Sequence, residues 1–322
     1  MKKKELHTQQ QSESGEAPTS AFITYLQQHK WALVLAILIV TLLWGYAWVL
    51  MKQALDYMGP FTFSAFRFAT GSITLLIVIW IRKTGLPPKQ YWKHLTLVGL
   101  LQTSIVFLLV MYGLKFVDAG KSSVLLYSMP VWSSFLAAKF LNEKMSPGKV
   151  TGLLAGMIGI ITIVGWDSIF TDNLQAVFGE LLIIVAAFSW GMSNVYYRRH
   201  LQNLPQLQVN TWQMTCGTIG IIIAALVMEW GEPIVLNTPS IYYIMFTGVF
   251  ASALCFTVWF LILSLIDMVT ATISTLLVPI FGLLFSSIIL NETLTPGVIT
   301  GSVLIIAGII IAQLSAKQMQ KK

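Results

Sequence analysis

Around residue 141 the chain reads LNEKMSPGKVTG, and 149 positions later it reads LNETLTPGVITG. Seven of the twelve positions are identical: Leu141/Leu290, Asn142/Asn291, Glu143/Glu292, Pro147/Pro296, Gly148/Gly297, Thr151/Thr300 and Gly152/Gly301. The same offset joins Gly99 to Gly248, Asp118 to Asp267, Pro130 to Pro279 and Gly159 to Gly308. An offset of 146 joins Trp44 to Trp190, Gly45 to Gly191 and Gly71 to Gly217, so the halves differ by a three-residue insertion between Gly217 and Gly248. Both copies lie among long apolar runs. The fold must therefore use one architecture twice, and a duplicated membrane domain is the usual build of a carrier whose halves rock around a central site.

The apolar runs say what that architecture is made of. The chain is 56% hydrophobic and 10% charged, with a mean hydropathy of +0.75, which excludes an ordinary soluble domain. A helix crossing the hydrocarbon needs about 20 mostly apolar residues. Ten segments qualify, at roughly 32–51, 62–81, 95–113, 120–138, 149–166, 179–197, 209–228, 241–263, 269–289 and 297–315. The fourth and ninth carry Pro130 and Pro279 near their middles, where a missing N–H kinks a helix and neighbouring helices must satisfy the freed carbonyls. The expected fold is all-α, with ten transmembrane helices as two five-helix repeats over 31–166 and 179–315.

Charge distribution orients these spans. Residues 1–30 are polar, read as a disordered tail, and are too poor in apolar residues for a signal peptide, which puts the amino terminus in the cytosol. With that start, sixteen of the twenty Lys and Arg fall on the cytosolic side, including the 316–322 tail. Three (Lys52, Lys115, Lys121) fall in outer loops, and Arg67 lies inside a span. This positive-inside bias predicts a plasma-membrane protein with both termini cytoplasmic. Five spans per half is odd, so the second half must insert upside down. The repeated loop agrees: LNEKMSPGK carries lysines and falls inside, while LNETLTPGV carries none and falls outside.

Several chemistries are excluded. The net charge of +7 sits between apolar runs and forms no basic face for nucleic acid. Cys216 and Cys255 fall in apolar stretches as packing residues, and no zinc spacing, phosphate loop or nucleotide fingerprint is present. His7, His29, His94 and His200 all lie outside the spans or at their ends, so no catalytic residue, metal or cofactor is expected.

Arg67 (in FSAFRFATG) is the foremost candidate for solute binding, because charge within the membrane is costly and usually has a task. It either anchors its helix on a carbonyl or an outer-loop acid, or it faces a central cavity and grips a carboxylate bidentately. Its repeat counterpart is Gln213. Thr41, Trp44 and Trp48 recur at helical spacing in the first span, as do Trp190, Ser193, Asn194 and Tyr197 in the sixth. These faces serve either interhelical packing or a cavity wall for a small amphipathic solute. Gln102, Trp259, Tyr112, Tyr127, Trp132 and Ser274 are further candidates for that wall. Glu180 opens the sixth span, where a capping role is favoured by the helix dipole; it is also the one fair candidate for a titrating group if a proton is the coupling ion. Glu143 and Glu292 precede Ser146–Pro147 and Thr295–Pro296, which read as N-cap and first-turn proline and make these glutamates parts of a structural turn.

The ten spans as five plus five, the arginine in the second span, the NE–SPG–TG–G turn closing each half and the Gly179–Glu180 pair together resemble the EamA family of the drug/metabolite transporter superfamily. The resemblance covers residues 31–315. It implies a ten-helix carrier in the lipid bilayer, exporting amino acids or related small metabolites without cofactor. Other polar metabolites or uncharged drugs are the alternative solutes. Small multidrug carriers of that superfamily use an acid in the first helix, and none occurs here in residues 32–51, which disfavours hydrophobic cations.

Overall fold

The computed structural model describes residues 29–142, 145–166, 173–263, 265 and 273–320. These residues form helices and no strand, as a chain must when no water is at hand to satisfy backbone groups. The helices are α1 (Lys30–Ala54), α2 (Pro60–Ile81), α3 (Trp92–Gly99), α4 (Val106–Gly113), α5 (Ala119–Leu126), α6 (Met129–Phe140) and α7 (Pro147–Trp166). They continue as α8 (Leu174–His200), α9 (Gln206–Met228), α10 (Thr238–Met245), α11 (Cys255–Leu263), α12 (Leu277–Ile289) and α13 (Pro296–Gln320). Wider π-helical turns, Leu100–Ile105 and Phe246–Leu254, join α3 to α4 and α10 to α11.

Among the described residues, eight helical stretches are long and apolar enough to cross a membrane. The expected fourth span is two pieces, since α5 stops at Leu126 and α6 restarts at Met129. Pro130 lacks an N–H and would clash with the carbonyl one turn back, so it occupies the first turn of a new helix and does not kink an old one. The ninth span is represented by the short stretch Ile273–Ile289, its first residues lying outside the described ones.

Local chemistry fixes the ends. Asn142 and Asn291 are repeat counterparts, and both adopt left-handed backbone, at φ 53° and 55°. Asparagine tolerates that conformation, which closes a helix C-terminus. At the second copy Glu292 N–H donates to the Ser286 carbonyl, closing the C-terminal loop of α12. Lys149 and Val298 N–H donate to Ser146 Oγ and Thr295 Oγ1, the N-caps read from the repeated turn. Glu143 lies outside the described residues.

Packing is through small residues, because lipid is as apolar as leucine and offers no hydrophobic drive between helices. α13 packs along α7 and α9 along α2. A Cβ on Gly159 would meet the Gly301 carbonyl at 2.7 Å, and one on Gly301 would meet the Gly159 carbonyl at 2.7 Å. Gly152 and Gly308 abut each other in the same reciprocal way, so α7 and α13 run antiparallel. Ser72 Oγ and Thr218 Oγ1, also repeat counterparts, share a 3.0 Å hydrogen bond between α2 and α9. The interior is rich in hydroxyls: Ser122, Ser193, Ser252 and Ser286 are fully buried. Apolar side chains such as Leu154, Ile161 and Val303 face outward, as expected of a lipid-facing perimeter.

Candidate solute-binding site

Arg67 sits seven residues into α2, about 10 Å from its start, and is only 6% exposed. Its Nε donates to Ser252 Oγ at 3.3 Å, and one terminal nitrogen reaches Met51 Sδ at 2.9 Å. The guanidinium lies over the rings of Phe107 and Phe68, 4.7 and 4.9 Å from their centroids. The Tyr127 phenol is within electrostatic range. Among the described residues no carboxylate forms an ion pair with it. A guanidinium carries five N–H donors, so most of its donor capacity is unspent, and the one thioether acceptor is weak. The carbonyl or outer-loop acid anchor considered from sequence is therefore not what holds it.

The counterpart residue repeats the arrangement without the charge. Gln213 accepts from Thr103 Oγ1 at 2.8 Å and donates to Asn210 Oδ1 at 3.1 Å. Thr103 and Ser252 are themselves counterparts at the offset of 149, and each belongs to a π turn. A π turn displaces its helix locally and is common at functional sites. Ser252 Oγ in turn donates to the Thr247 carbonyl five residues back.

Indoles pack beside the Ser252 turn and against Phe107. Trp44 Nε1 donates to the Ala251 carbonyl at 2.9 Å, and its ring meets Phe256 at 5.2 Å and Trp259 at 5.6 Å. The counterpart contact is Trp190 with Phe107, at 6.4 Å. Phe68, Phe107, Met214 and Phe256 pack in one cluster. Arg67, Trp44, Trp190 and Trp259 are thereby joined through shared aromatic neighbours, whereas Gln213 meets Thr103 and Asn210. Gln102 accepts from Ser193 Oγ at 3.1 Å, and Trp48 is buried in the main core, near Gly282. Asn194 is turned to α6, donating to Ser133 Oγ at 3.3 Å. Tyr197 is not brought to Arg67: it packs with Leu95, Val98 and Leu201 near the last turn of α8. A groove of about 670 Å³ lies elsewhere, beside Trp80, Lys83, Leu86 and Trp212, and includes none of these residues.

Two acidic residues behave differently from expectation. Glu180 does not cap α8; Asn173 does, accepting from Ala176 N–H at 3.0 Å. Glu180 is fully buried and pairs with Lys121 at 3.1 Å, so Lys121 belongs to the interior of α5 and not to an outer loop. Glu292 does more than shape its own turn, since its two oxygens accept from Ala119 and Gly120 N–H at 2.8 and 3.1 Å and close the start of α5. Glu229 does the same for α2, accepting from Phe61 and Thr62 N–H at 3.0 and 2.7 Å. Sequence reading passed over Met51, Phe107, Ser252 and Glu229. Repeat arithmetic could have flagged Ser252, because it puts a hydroxyl opposite Thr103 as Arg67 stands opposite Gln213.

The EamA-like transporter family profile matches residues 31–165 and again 177–314. The chain belongs to that family. A Bacillus subtilis protein described as "Uncharacterized transporter YoaV" is 32% identical over 86% of this chain and 94% of its own length. A Salmonella typhimurium protein described as "Probable amino-acid metabolite efflux pump" is 22% identical over 85% of this chain and 92% of its own. A solved crystal structure superposes with a TM-score of 0.64 at 19% identity, over 90% of this chain and all of the other, a likeness of fold alone. The protein is thus a multi-pass membrane transporter of small molecules.

Proposed function

We propose that this transporter exports small carboxylate-bearing metabolites, amino acids foremost, by alternating access of two inverted five-helix repeats, 31–166 and 179–315, with both termini cytoplasmic. The observation that carries the solute class is Arg67, a buried cation among aromatic rings with unspent N–H donors and no carboxylate partner among the described residues. A solute carboxylate supplies the missing countercharge and accepts from the planar fork bidentately. Indoles and the amides of Gln213 and Gln102 suit the remainder of an amphipathic solute. Reciprocal contacts between counterpart residues support the inverted arrangement, and the name of the Salmonella relative supports the amino-acid reading. Loss of a charged hydrogen-bonded partner costs about 1.5–3 kcal/mol. Arg67→Ala should accordingly lower carboxylate efflux from loaded cells about tenfold to a hundredfold while the protein still inserts and folds. Arg67→Lys should keep the charge, lose the fork and retain part of the efflux. Unchanged efflux by Arg67→Ala refutes the carboxylate role.

A further inference from the structure

Beyond the Arg67 cage, one buried charged cluster has no task in solute binding. Lys121 on α5 and Glu180 on α8 form an ion pair at 3.1 Å, with side chains 8% and 0% exposed. Glu180 lies six residues inside α8, about 9 Å from its start. Helix capping does not require the pair. Asn173 already caps α8. A buried ion pair can often be replaced by apolar residues of similar size without loss of stability. The repeat makes the same point, because the position equivalent to Glu180 is Val34, which faces outward at 54% exposure. A charge pair that the fold does without in one copy and buries in the other is a functional feature.

Its position ties it to the candidate site. α5 starts beside the pair and ends at Leu126, and the next residue, Tyr127, stands within electrostatic range of Arg67. The break at Tyr127–Ser128 makes α5 a half-helix that ends beside Tyr127, which packs against the same core cluster as Met51, the thioether that accepts from Arg67. Other charged and titratable groups at this end are Lys52 from α1, which donates to the Leu114 and Val117 carbonyls, and Asp56 just beyond α1. Tyr112 and Lys115 stand at the end of α4, Asp118 at the start of α5, and Glu292 on the first N–H groups of α5. α6 brings only Lys139, at its far end, and α12 brings none.

We propose that the Lys121–Glu180 pair is the proton-coupling site of this transporter, a proposal that rests on the solute reading above. One proton from the aqueous phase converts the Glu180 carboxylate to the carboxylic acid while Lys121 stays an ammonium. The attraction holding α5 to α8 falls from charge–charge to charge–dipole, and α5 pivots at Tyr127–Ser128, changing the surroundings of Arg67. Loss of that proton restores the pair and the docked half-helix. By reciprocity of linkage, a proton that weakens solute binding is itself expelled by solute, so the two move in opposite directions.

The test uses the full-length protein in liposomes of phosphatidylethanolamine and phosphatidylglycerol, with a mixture of radiolabelled neutral L-amino acids as probe. At equal pH on both sides, Glu180→Gln should exchange label within about twofold of wild type, yet lose accumulation driven by a pH gradient by about tenfold or more. Glu180→Asp should keep accumulation. Retained gradient-driven accumulation by Glu180→Gln overturns the proposal. Solute-free infrared difference spectra between high and low pH give an independent reading: wild type should gain a carboxylic-acid C=O band that Glu180→Gln lacks and Glu180→Asp shifts. A wild-type spectrum without that band overturns the proposal whatever the solute, whereas absence of label exchange by wild type sinks the amino-acid reading alone.

Discussion

Arg67 and Gln213 occupy matching places on α2 and α9, each tied to a hydroxyl on a π turn, Ser252 and Thr103. One copy carries a cation and the other an amide, so the proposed site is electrostatically one-sided on a two-sided scaffold. The arginine was legible in the chain because a charge in an apolar run stands out. Its aromatic floor was not, because Phe68 and Phe107 are indistinguishable from any lipid-facing phenylalanine until their helices are docked. The small residues make a prediction at this scale. Gly159 and Gly301 meet backbone to backbone, and any Cβ would stand 2.7 Å from the opposing carbonyl. Gly159→Leu or Gly301→Leu should part α7 from α13 and cost about 1–3 kcal/mol, read as a lowered unfolding temperature in detergent. Gly165, with open space around it, is the control whose substitution by leucine should leave that temperature unchanged.

Among the elements, the informative one is the broken pair α5–α6. Residues 120–138 are apolar enough on average to read as one span, with Pro130 as a kink. The observed gap at Tyr127–Ser128 arises because the proline ring occupies the first turn of α6, leaving α5 as a short helix whose ends need other support. Glu292 supplies it at one end, and Glu229 does the same for α2. Both carboxylates come from the second half of the chain and grip helix N-termini of the first, where their charge also complements the dipole. Glu229→Ala removes the acceptor for Phe61 N–H, Thr62 N–H and Thr62 Oγ1, and should destabilise by about 0.5–2 kcal/mol, the range for a lost N-cap. Glu292→Ala should do likewise, and Gln at either position should recover part of the loss. Thermal unfolding of the purified variants measures both, and wild-type stability in Glu229→Ala would mean that water takes over the cap.

For the whole molecule, the remaining prediction is orientation. Lysine and arginine crowd the ends of the spans that precede residues 82–93, 139–149 and 198–199, and desert the 291–296 turn. Reporter fusions should read cytosolic at residue 322 and external within 291–296; a cytosolic signal from that turn would refute the inverted insertion. Duplication, helical build and the one arginine within a span follow from sequence by itself, because they depend on composition, spacing and hydrogen-bond satisfaction along one strand of chain. Which residues face one another could come only from tertiary structure. Glu180 reads as a cap until α5 delivers Lys121 to it, and Tyr197 reads as a cavity wall until α8 turns it toward Leu95. Helical periodicity puts a residue on a face of its own helix, but the neighbour that face meets is set by how helices from both halves pack. In hydrocarbon that choice rests on glycine seams and buried hydroxyl bonds rather than on hydrophobicity, which every face of these helices shares.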